Sequence, residues 1–289
     1  MTILSQISDA TQALVEKTAP RVVALNAGHR NAASGILWRP GLIVTADEAI
    51  SDDENVEVMM PDGSTAAAGF AGHDPSTDIA LLQLGAGAGT LQPFKPATAV
   101  KVGQLAVAVG RGEKGVLAAS GIVIESGGSW RSWAGGLIDQ RILLGLALDR
   151  RSHGGAVVDA EGNLIGLAAF APRRRALVIP AATVDRIAER LAAKGSIARG
   201  YLGAGLHPLR GERESGAIVV KVDGNGPAKR AGILVGDVLT AWNGEPIRGV
   251  RDVFKRLGPD AVGSTITFEV TRADQHIKVA VAIGERPHK

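Results

Sequence analysis

The sequence predicts a mainly β protein with a smaller unit of mixed α and β structure at its C-terminal end. Short runs rich in Val, Ile, Leu and Ala recur along the chain, and Gly, Pro or Asp-Gly separates most of them. The 38 glycines exceed the usual share of about 7% and indicate many tight turns. Aromatic residues make up only 3% of the chain, so aliphatic side chains must fill the cores. The 289 residues suffice for one large domain or two smaller ones.

The first predicted element is a helix, and a series of short strands follows it. Ile3, Ile7, Leu14 and Val15 have a helical spacing that ends before Pro20. Strands are then predicted at Val22–Asn26, Gly35–Trp38, Leu42–Thr45, Val56–Met60, Ile79–Leu84, Ala106–Val109, Gly121–Glu125, Arg141–Ala147, Ala156–Val158, Leu164–Ala169 and Ala176–Ile179. Strands of this length and spacing favour an all-β barrel or sandwich.

A second helix and a short hinge end the first unit. The helix is predicted from Ala182 to Lys194, because apolar residues share one face and a glycine follows. The polar segment Gly195–Gly200 is typical of a linker between domains. The sequence therefore predicts a first domain over residues 1–194, a linker over 195–200 and a second domain over 201–289.

The second domain is predicted to alternate strands and helices. Two strands come first, and a helix opens near Pro227, which suits the first turn of a helix because its missing N–H costs nothing there. Two further strands, a helix near Val250–Leu257 and two closing strands complete the unit. Asn243-Gly244 is typical of a hairpin turn, since both residues tolerate positive φ.

Composition and charge exclude several classes of site. The chain has no cysteine, which excludes disulfides and thiolate metal sites. The net charge is only +3, and the arginine clusters Arg150–Arg151 and Arg173–Arg175 have no aromatic neighbours to stack bases, so we expect solvated loops and no nucleic-acid partner. The first twenty residues lack the pattern of a secretory signal, and no stretch has the length of a membrane span. We therefore expect a cytoplasmic protein without a membrane span, or a periplasmic one if the sequence is a trimmed form of an exported protein.

The second domain resembles a PDZ domain of the type found with bacterial proteases. The segments that carry the resemblance are Gly216-Ala-Ile-Val-Val-Lys-Val, Gly226-Pro-Ala-Lys-Arg-Ala-Gly-Ile and Val235-Gly-Asp-Val-Leu-Thr-Ala-Trp-Asn-Gly. PDZ domains bind an extended peptide C-terminus by strand addition, while backbone N–H groups hold its carboxylate. The family's carboxylate-binding loop resembles Arg199-Gly-Tyr-Leu-Gly-Ala. The resemblance implies that Tyr201, Leu202, Gly203 and Ala204 form the peptide site; the alternative is that they form only a buried edge strand.

The first domain resembles the HtrA (DegP/DegQ-like) branch of trypsin-like serine proteases, which implies a double six-stranded β-barrel. The resemblance rests on Ala33-Ser-Gly-Ile-Leu, Gly41-Leu-Ile-Val-Thr, Asp74-Pro-Ser-Thr-Asp-Ile-Ala-Leu-Leu, and Gly154-Gly-Ala-Val-Val-Asp followed by Gly162-Asn-Leu-Ile-Gly. Together with the PDZ resemblance, it covers nearly the whole chain.

Two of the three catalytic positions implied by this resemblance are substituted. Glu48 stands where the family has its histidine, and His153 stands where the family has its nucleophilic serine. Only Asp78 is in register. Hydrolysis of this class needs a nucleophilic hydroxyl, an imidazole base and a carboxylate that orients the base. A glutamate with a pKa near 4.3 is a weaker base than an imidazole near 6.5.

The loops around these positions depart from the family as well. Arg151 replaces the glycine two residues before the nucleophile, and an arginine resists the positive φ that an oxyanion loop requires. The loop from Phe170 to Val178 is shorter than the family's specificity loop. Ser152 is a candidate for a shifted nucleophile, although a shift of about 1 Å already costs roughly 100-fold in rate.

Alternatives for the substituted site remain open. Glu48, Asp78 and His153 could form the ligand set of a divalent metal such as Fe(II), Mn(II) or Zn(II), with no other cofactor expected. His153 could instead hydrogen-bond one carboxylate and neutralise a crowded pair. We predict a non-catalytic protein that binds peptide C-termini or unfolded polypeptide, as a scaffold or regulator in protein quality control. The resemblance also implies a homo-trimer; the enzyme alternative is residual endopeptidase activity through Ser152 or a metal.

Overall fold

The computed structural model describes residues 2–26, 32–50, 55–85, 93–172, 175–195, 197–209 and 216–286. Its contacts divide the chain into two compact units. One comprises Met1–Trp130 and Ile138–Ser196, and the other comprises Arg131–Leu137 and Ile197–Lys289. Grouping of Arg131–Leu137 with the second unit was not foreseen from the sequence. The arginines at 173 and 174 lie outside the described residues.

The first unit begins with a helix and continues into a closed barrel. Helix α1 spans Ile3–Thr18 and is capped by the Thr2 side chain, which accepts a hydrogen bond from the Ser5 backbone N–H. The barrel strands are β1 (Val22–Asn26), β2 (Ala33–Arg39), β3 (Leu42–Thr45), β4 (Asn55–Met59), β5 (Thr65–Asp74) and β6 (Ile79–Leu84). They close in the order β1-β2-β3-β6-β5-β4.

A second barrel completes the first unit. Its strands are β7 (Leu105–Gly112), β8 (Gly115–Ser126), β11 (Ile142–Leu144), β12 (Ala156–Val158), β13 (Leu164–Ala171) and β14 (Arg175–Pro180), closed in the order β11-β14-β13-β12-β7-β8. Between β8 and β11, the short strands β9 (Trp130–Arg131) and β10 (Leu137–Ile138) pair with each other. Helix α2 (Ala181–Lys194) follows and ends at Gly195, whose φ of 69° is left-handed. The double six-stranded barrel implied by the sequence resemblance is confirmed.

The two barrels are joined by hydrogen bonds around Arg111 and Ser34. The buried Arg111 guanidinium donates to the carbonyls of Val22, 2.7 Å, and Ala19, 2.9 Å. Burial lowers the pKa of this guanidinium. The Ser34 hydroxyl accepts from the Arg111 backbone N–H at 2.9 Å, and the Ser34 N–H donates to the carbonyl of His153 at 2.9 Å. Ser34 of the first barrel thus bonds both to Arg111 of the second barrel and to the turn that carries His153.

The second unit is built on a sheet with two short helices. Strands β16 (Ala204–Pro208), β17 (Ala217–Val222), β18 (Val238–Trp242), β20 (Thr265–Arg272) and β21 (Gln275–Ala282) lie in the order β16-β17-β18-β20-β21, and β19 (Glu245–Pro246) pairs with β18. Strand β15 (Gly200–Tyr201) pairs with β22 (Gly284–Glu285), and the helices are α3 (Pro227–Arg230) and α4 (Val250–Arg256). Phe268 and Trp242 meet edge to face at 5.0 Å in the core.

The sequence predicted most elements but not all. The predicted bounds of β1, β3, β6 and β12 are confirmed. Strand β5 was not predicted, because its Ala- and Gly-rich sequence carries few β-branched residues. The strand predicted at Arg141–Ala147 is wrong in extent: β11 covers only Ile142–Leu144, where a register shift interrupts its pairing with β8. Among the described residues, no helix combines the length and apolar character that a bilayer crossing requires.

Candidate functional site

The first candidate site lies where one end of the first barrel meets the turn before β12. Thr45, the last residue of β3, pairs with Ala80 of β6, so the chain after β3 and the chain before β6 emerge together. Glu48 lies in the short turn after β3, and Asp78 immediately precedes β6. Asp78 has a φ of 58°, which is strained for a non-glycine residue. The buried Asp74 carboxylate holds this corner by accepting hydrogen bonds from side chains two and three residues on.

The Asp78 carboxylate contacts both substituted catalytic positions. Its Oδ1 accepts a hydrogen bond of 2.9 Å from the Glu48 backbone N–H. Its Oδ2 lies 3.1 Å from His153 Nε2, and the His153 ring is buried. The Phe170 ring packs edge to face on the imidazole at 5.1 Å. The structure therefore brings Asp78 and His153 together, whereas Glu48 joins them through its main chain. This is the arrangement expected when His153 hydrogen-bonds one carboxylate.

In the turn before β12, backbone N–H groups donate hydrogen bonds to acceptors within the turn itself. The Arg151 N–H donates to Asp149 Oδ1 at 2.9 Å, and the His153 N–H donates to the Arg150 carbonyl at 3.2 Å. These N–H groups occupy the two positions that would form an oxyanion hole. Arg151 is absent from the described non-glycine residues with positive φ, in line with the prediction that it resists that conformation.

An ion pair closes the same turn. The Arg151 guanidinium meets the Asp149 carboxylate with two hydrogen bonds, from Nε to Oδ1 and from Nη2 to Oδ2, both 2.9 Å long. Hydrogen bonds from the Arg151 side chain and backbone lower the pKa of Asp149 to about 2. The turn is therefore held by a bidentate charged contact as well as by its N–H groups.

Ser152, the candidate for a shifted nucleophile, lies against the second barrel. Its side chain is buried against Gly110 of β7, where an added Cβ would lie 2.4 Å from the Ser152 hydroxyl. The next glycine along the turn fixes the direction of the chain: Gly154 has a φ of 82°, and a Cβ there would lie 2.3 Å from the carbonyl oxygen of Ser34. The Ser152 hydroxyl therefore packs against β7.

The specificity segment and the metal alternative can also be placed. Strands β13 and β14 pair as far as Ala171 and Arg175, so strand occupies most of the Phe170–Val178 segment, two of whose residues lie outside the description. In the described part of the chain, no group of three or more His, Asp or Glu side chains could hold a metal ion. Of the ligand set considered from the sequence, Asp78 contacts His153 through its side chain and Glu48 through the Glu48 backbone N–H.

A second imidazole–carboxylate pair lies beside the first and was missed from the sequence. His73 of β5 approaches Asp47, with its Nδ1 2.7 Å from the Asp47 Oδ1. Burial raises the pKa of Asp47, the His73 contacts oppose this shift, and the charges of Asp78 and Asp74 add to it. Only the pairing of strands brings these residues together, so no local pattern in the sequence marks them.

The second candidate site is a groove of about 300 Å³ beside β16. Tyr201, Leu202, Gly203 and Ala204 all line it, as the sequence resemblance implied. The carbonyls of Leu202 and Gly203 accept hydrogen bonds from the backbone N–H groups of Ala228, 2.8 Å, and Asp223, 2.9 Å. The loop is therefore held from its inner side. In the sheet of described strands, β16 is an edge strand with one side open.

Comparisons with known proteins match both units. Residues 33–167 match the trypsin-like peptidase domain family, and residues 200–283 match the PDZ domain family. A probable periplasmic serine endoprotease (DegP-like) of Brucella suis is 32% identical over 88% of this chain and 52% of its own. The periplasmic serine endoprotease DegP of Escherichia coli is 31% identical over 85% of this chain and 55% of its own. The chain thus spans about half the length of these curated relatives.

Solved structures show the same architecture. The serine endoprotease from Yersinia pestis is 27% identical, with a TM-score of 0.72, covering 96% of this chain and 98% of its own. The HtrA-type protease AlgW, solved with a decapeptide, has the same TM-score at 23% identity over 96% of this chain and 98% of its own, a likeness of fold.

Proposed function

The chain belongs to the HtrA family of trypsin-like proteins with a PDZ domain, and we propose that it is a member that binds polypeptides without serine hydrolysis. In this proposal, the PDZ groove takes peptide C-termini or unfolded segments, and the barrel unit serves as a scaffold or regulator. The relatives are named as serine endoproteases, and the proposal departs from them because of the residues at the catalytic positions and in the adjoining turn.

The contact between His153 and Asp78 carries the proposal. In a serine protease, the aspartate orients a histidine base, and the base removes a proton from the serine hydroxyl. Here the residue at the nucleophile position is itself an imidazole, and it lies 3.1 Å from that aspartate. The Asp78 carboxylate thus contacts the residue at the nucleophile position directly, and Glu48 stands at the position of the base. No hydroxyl takes part in this contact.

The internal hydrogen bonds of the turn support the same conclusion. An oxyanion hole stabilises the tetrahedral intermediate only if its N–H groups point at the developing charge, and each such donor is worth about 100- to 1,000-fold in rate. The N–H groups of Arg151 and His153 already donate to the Asp149 carboxylate and the Arg150 carbonyl. Both bonds must break before the turn can bind an oxyanion.

The PDZ groove is the proposed peptide-binding site. Its loop is fixed by hydrogen bonds to Ala228 and Asp223, and its edge strand is open for strand addition. The proposed partners are therefore free peptide carboxyl ends and extended unfolded segments. A trimer is proposed as the assembly. A periplasmic location is proposed in place of the cytoplasmic one, which has no support from relatives whose names state a periplasmic location.

Two measurements test this function together. Labelled casein is incubated with the protein and with a Ser152→Ala variant, each with and without a chelator, and we expect no cleavage above buffer in any sample. Cleavage that the substitution abolishes would establish Ser152 as a nucleophile and overturn the proposal. Cleavage lost only with chelator would favour a metal enzyme.

The binding arm uses a library of labelled peptides with free C-terminal carboxyl groups, followed by fluorescence anisotropy. We expect binders tighter than about 1 mM, roughly −4 kcal/mol, and loss of binding when the same peptides carry a C-terminal amide. A library without any such binder would contradict the proposed peptide-binding role.

A further inference from the structure

Strand addition fixes which peptide residue lies beside which residue of β16. The peptide carboxylate lies at the loop of Leu202 and Gly203, so the last peptide residue lies beside Ala204 at the start of the strand. The penultimate residue then lies beside Gly205. Ala204 and Leu206 face the core of the unit, and since side chains alternate along a strand, Gly205 faces the opposite side. The last and penultimate peptide side chains therefore meet different surroundings.

The surroundings of the penultimate position are dominated by Lys221. This lysine is the cross-strand partner of Gly205 on β17, and a Cβ added to Gly205 would lie 3.0 Å from the Lys221 Cβ. The two positions therefore share one face of the sheet. Because Gly205 has no side chain, the lysine stem can pass over β16 toward a peptide on its open edge. That edge is about 10 Å from β17, two strand spacings, which a lysine and an acidic side chain can span together.

Lys221 is available for such a contact. Its side chain is 76% exposed, and within the described part of the chain it makes a 3.4 Å ion pair with Asp223. The Asp223 carboxylate is also bound by the Tyr201 hydroxyl, whose hydrogen bond lowers the pKa of Asp223. An exposed ion pair of this kind contributes little, so an incoming carboxylate can share the lysine.

The charge of the groove favours the same partner. Arg199, Lys221 and Arg286 are the cations among the described residues that line it, and Asp223 is the carboxylate. The surroundings of the last peptide side chain are apolar, with Leu202, Leu206 and the exposed ring of Phe254. The groove therefore combines an apolar pocket with an adjacent positive face.

We propose that this groove selects peptide C-termini with an apolar last residue and an acidic penultimate residue, and that Lys221 reads the acidic side chain across Gly205. The inference rests on the proposed peptide-binding function of the groove. It adds a residue-level preference that depends on two positions of this chain.

The test uses labelled octapeptides that differ only at the penultimate residue, which is Glu, Ala or Lys, in parallel sets ending in Leu, Val or Phe. Affinities are measured by anisotropy with the full chain. We expect Glu to bind about three-fold tighter than Ala, and Lys to bind about three-fold weaker, as for an exposed ion pair. The differences should disappear at about 1 M salt, where screening is nearly complete.

Two variants locate the preference. Lys221→Glu should invert the order of the Glu and Lys peptides, because attraction becomes repulsion. The control Lys229→Glu makes the same charge change at an exposed residue of α3 that does not line the groove, and it should preserve the order. A peptide with its Glu one residue earlier, where the side chain faces away from Lys221, should gain nothing from the lysine.

The outcomes separate the inference from the function beneath it. Equal affinities for the Glu, Ala and Lys peptides, with binding still dependent on the free carboxyl group, would refute the role of Lys221 and leave the peptide-binding function intact. An unchanged order in Lys221→Glu would refute it as well. If no free-acid peptide binds more tightly than its amide, the function and the inference both fail.

Discussion

The His153 imidazole and the Asp78 carboxylate lie 3.1 Å apart across the junction of the two barrels. Each partner has a second anchor: Asp78 also accepts the Glu48 N–H, and His153 packs on the Phe170 ring. A pair with these contacts stabilises the junction. We therefore expect its removal to lower the free energy of unfolding more than it changes any catalytic rate.

We expect Asp78→Ala to lower the free energy of unfolding of the barrel unit by about 1–3 kcal/mol, the usual cost of leaving buried polar groups unpaired. The substitution removes the acceptor of both the Glu48 N–H and the His153 imidazole. Urea unfolding followed by circular dichroism measures the change. Glu161→Ala, which removes one exposed carboxylate from the same unit, is the matched control and should change stability by less than about 0.5 kcal/mol. An equal effect of the two substitutions would contradict a structural role for the pair.

Restoring the two family residues should not by itself restore an efficient protease. In a Glu48→His/His153→Ser double variant, the Arg151 N–H still donates to the Asp149 carboxylate. Adding Arg151→Gly frees the turn from its ion pair and permits positive φ. We expect the triple variant to cleave casein about 100-fold faster than the double variant, the value of one oxyanion donor. A triple variant no faster than the double one would show that the turn is not what limits the chemistry.

The ion pair between Asp149 and Arg151 predicts a specific pH dependence. The folded pKa of Asp149 is about 2, below the usual value of about 3.9 in an unfolded chain, so ionised Asp149 stabilises the fold above about pH 4. This contribution is lost as the pH falls from about 4 to about 2. We expect Asp149→Asn, which keeps a capping oxygen and removes the charge, to lower the melting temperature at pH 7.

The same difference should be much smaller at pH 2.5, where the carboxylate of the parent protein is becoming protonated. Differential scanning fluorimetry at a series of pH values measures it. Asp62→Asn serves as a control for the loss of a surface carboxylate that has no arginine partner among its described contacts. A difference between parent and Asp149→Asn that is independent of pH would contradict the charged contact.

Gly203 should be essential for the groove. Its φ of 71° is left-handed, and an added Cβ would lie 2.8 Å from the Gly226 Cα. We expect Gly203→Ala to destabilise the second unit by about 1–3 kcal/mol and to weaken peptide binding at least ten-fold. Gly224→Ala is the control, because a Cβ at Gly224 meets nothing within 4 Å. Calorimetric titration of one peptide into both variants measures the two affinities. A wild-type affinity in Gly203→Ala would show that the loop does not take part in peptide binding.

The exposed face of α1 bears on assembly. Ile3 and Ile7 are 75% and 53% exposed, an unusual position for two isoleucines on one helix. If the proposed trimer uses this face, Ile7→Glu should shift the sedimentation profile toward monomer, whereas Gln12→Glu, at an exposed position on the other side of the helix, should not. A parent protein that sediments as a monomer at micromolar concentration would contradict the trimer itself.

The sequence predicted the strands of this protein better than the contacts between side chains that are distant in sequence. Strands β1, β3 and β6 were found with correct bounds, because β-branched and leucine-rich runs are bounded there by polar or turn residues. Strand β5 was missed because alanine and glycine carry no strand signal, and the contact of His73 with Asp47 was missed with it. That contact depends on the pairing of distant segments, which no window of sequence contains.

The candidate sites show the same division. The position of Tyr201, Leu202, Gly203 and Ala204 in the groove followed from the resemblance of the segment Arg199–Ala204 to the carboxylate-binding loop of PDZ domains. The bidentate contact of Arg151 with Asp149 could not be foreseen, because it depends on the backbone conformation of the turn and not on residue identity alone. The grouping of Arg131–Leu137 with the second unit likewise depends on packing, including the stacking of Arg251 on Trp133.

The internal hydrogen bonds of the turn before β12 also bear on how this protein reacts with chemical probes. Reagents that detect serine hydrolases need an activated hydroxyl to capture and N–H groups ready to hold the resulting oxyanion. Here an imidazole stands at the nucleophile position. The N–H groups of Arg151 and His153 already donate to the carboxylate of Asp149 and the carbonyl of Arg150. Under the proposed function, we expect a survey of active hydrolases by such labelling to miss this chain even where it is abundant, and a bait with a free peptide carboxyl end to retain it.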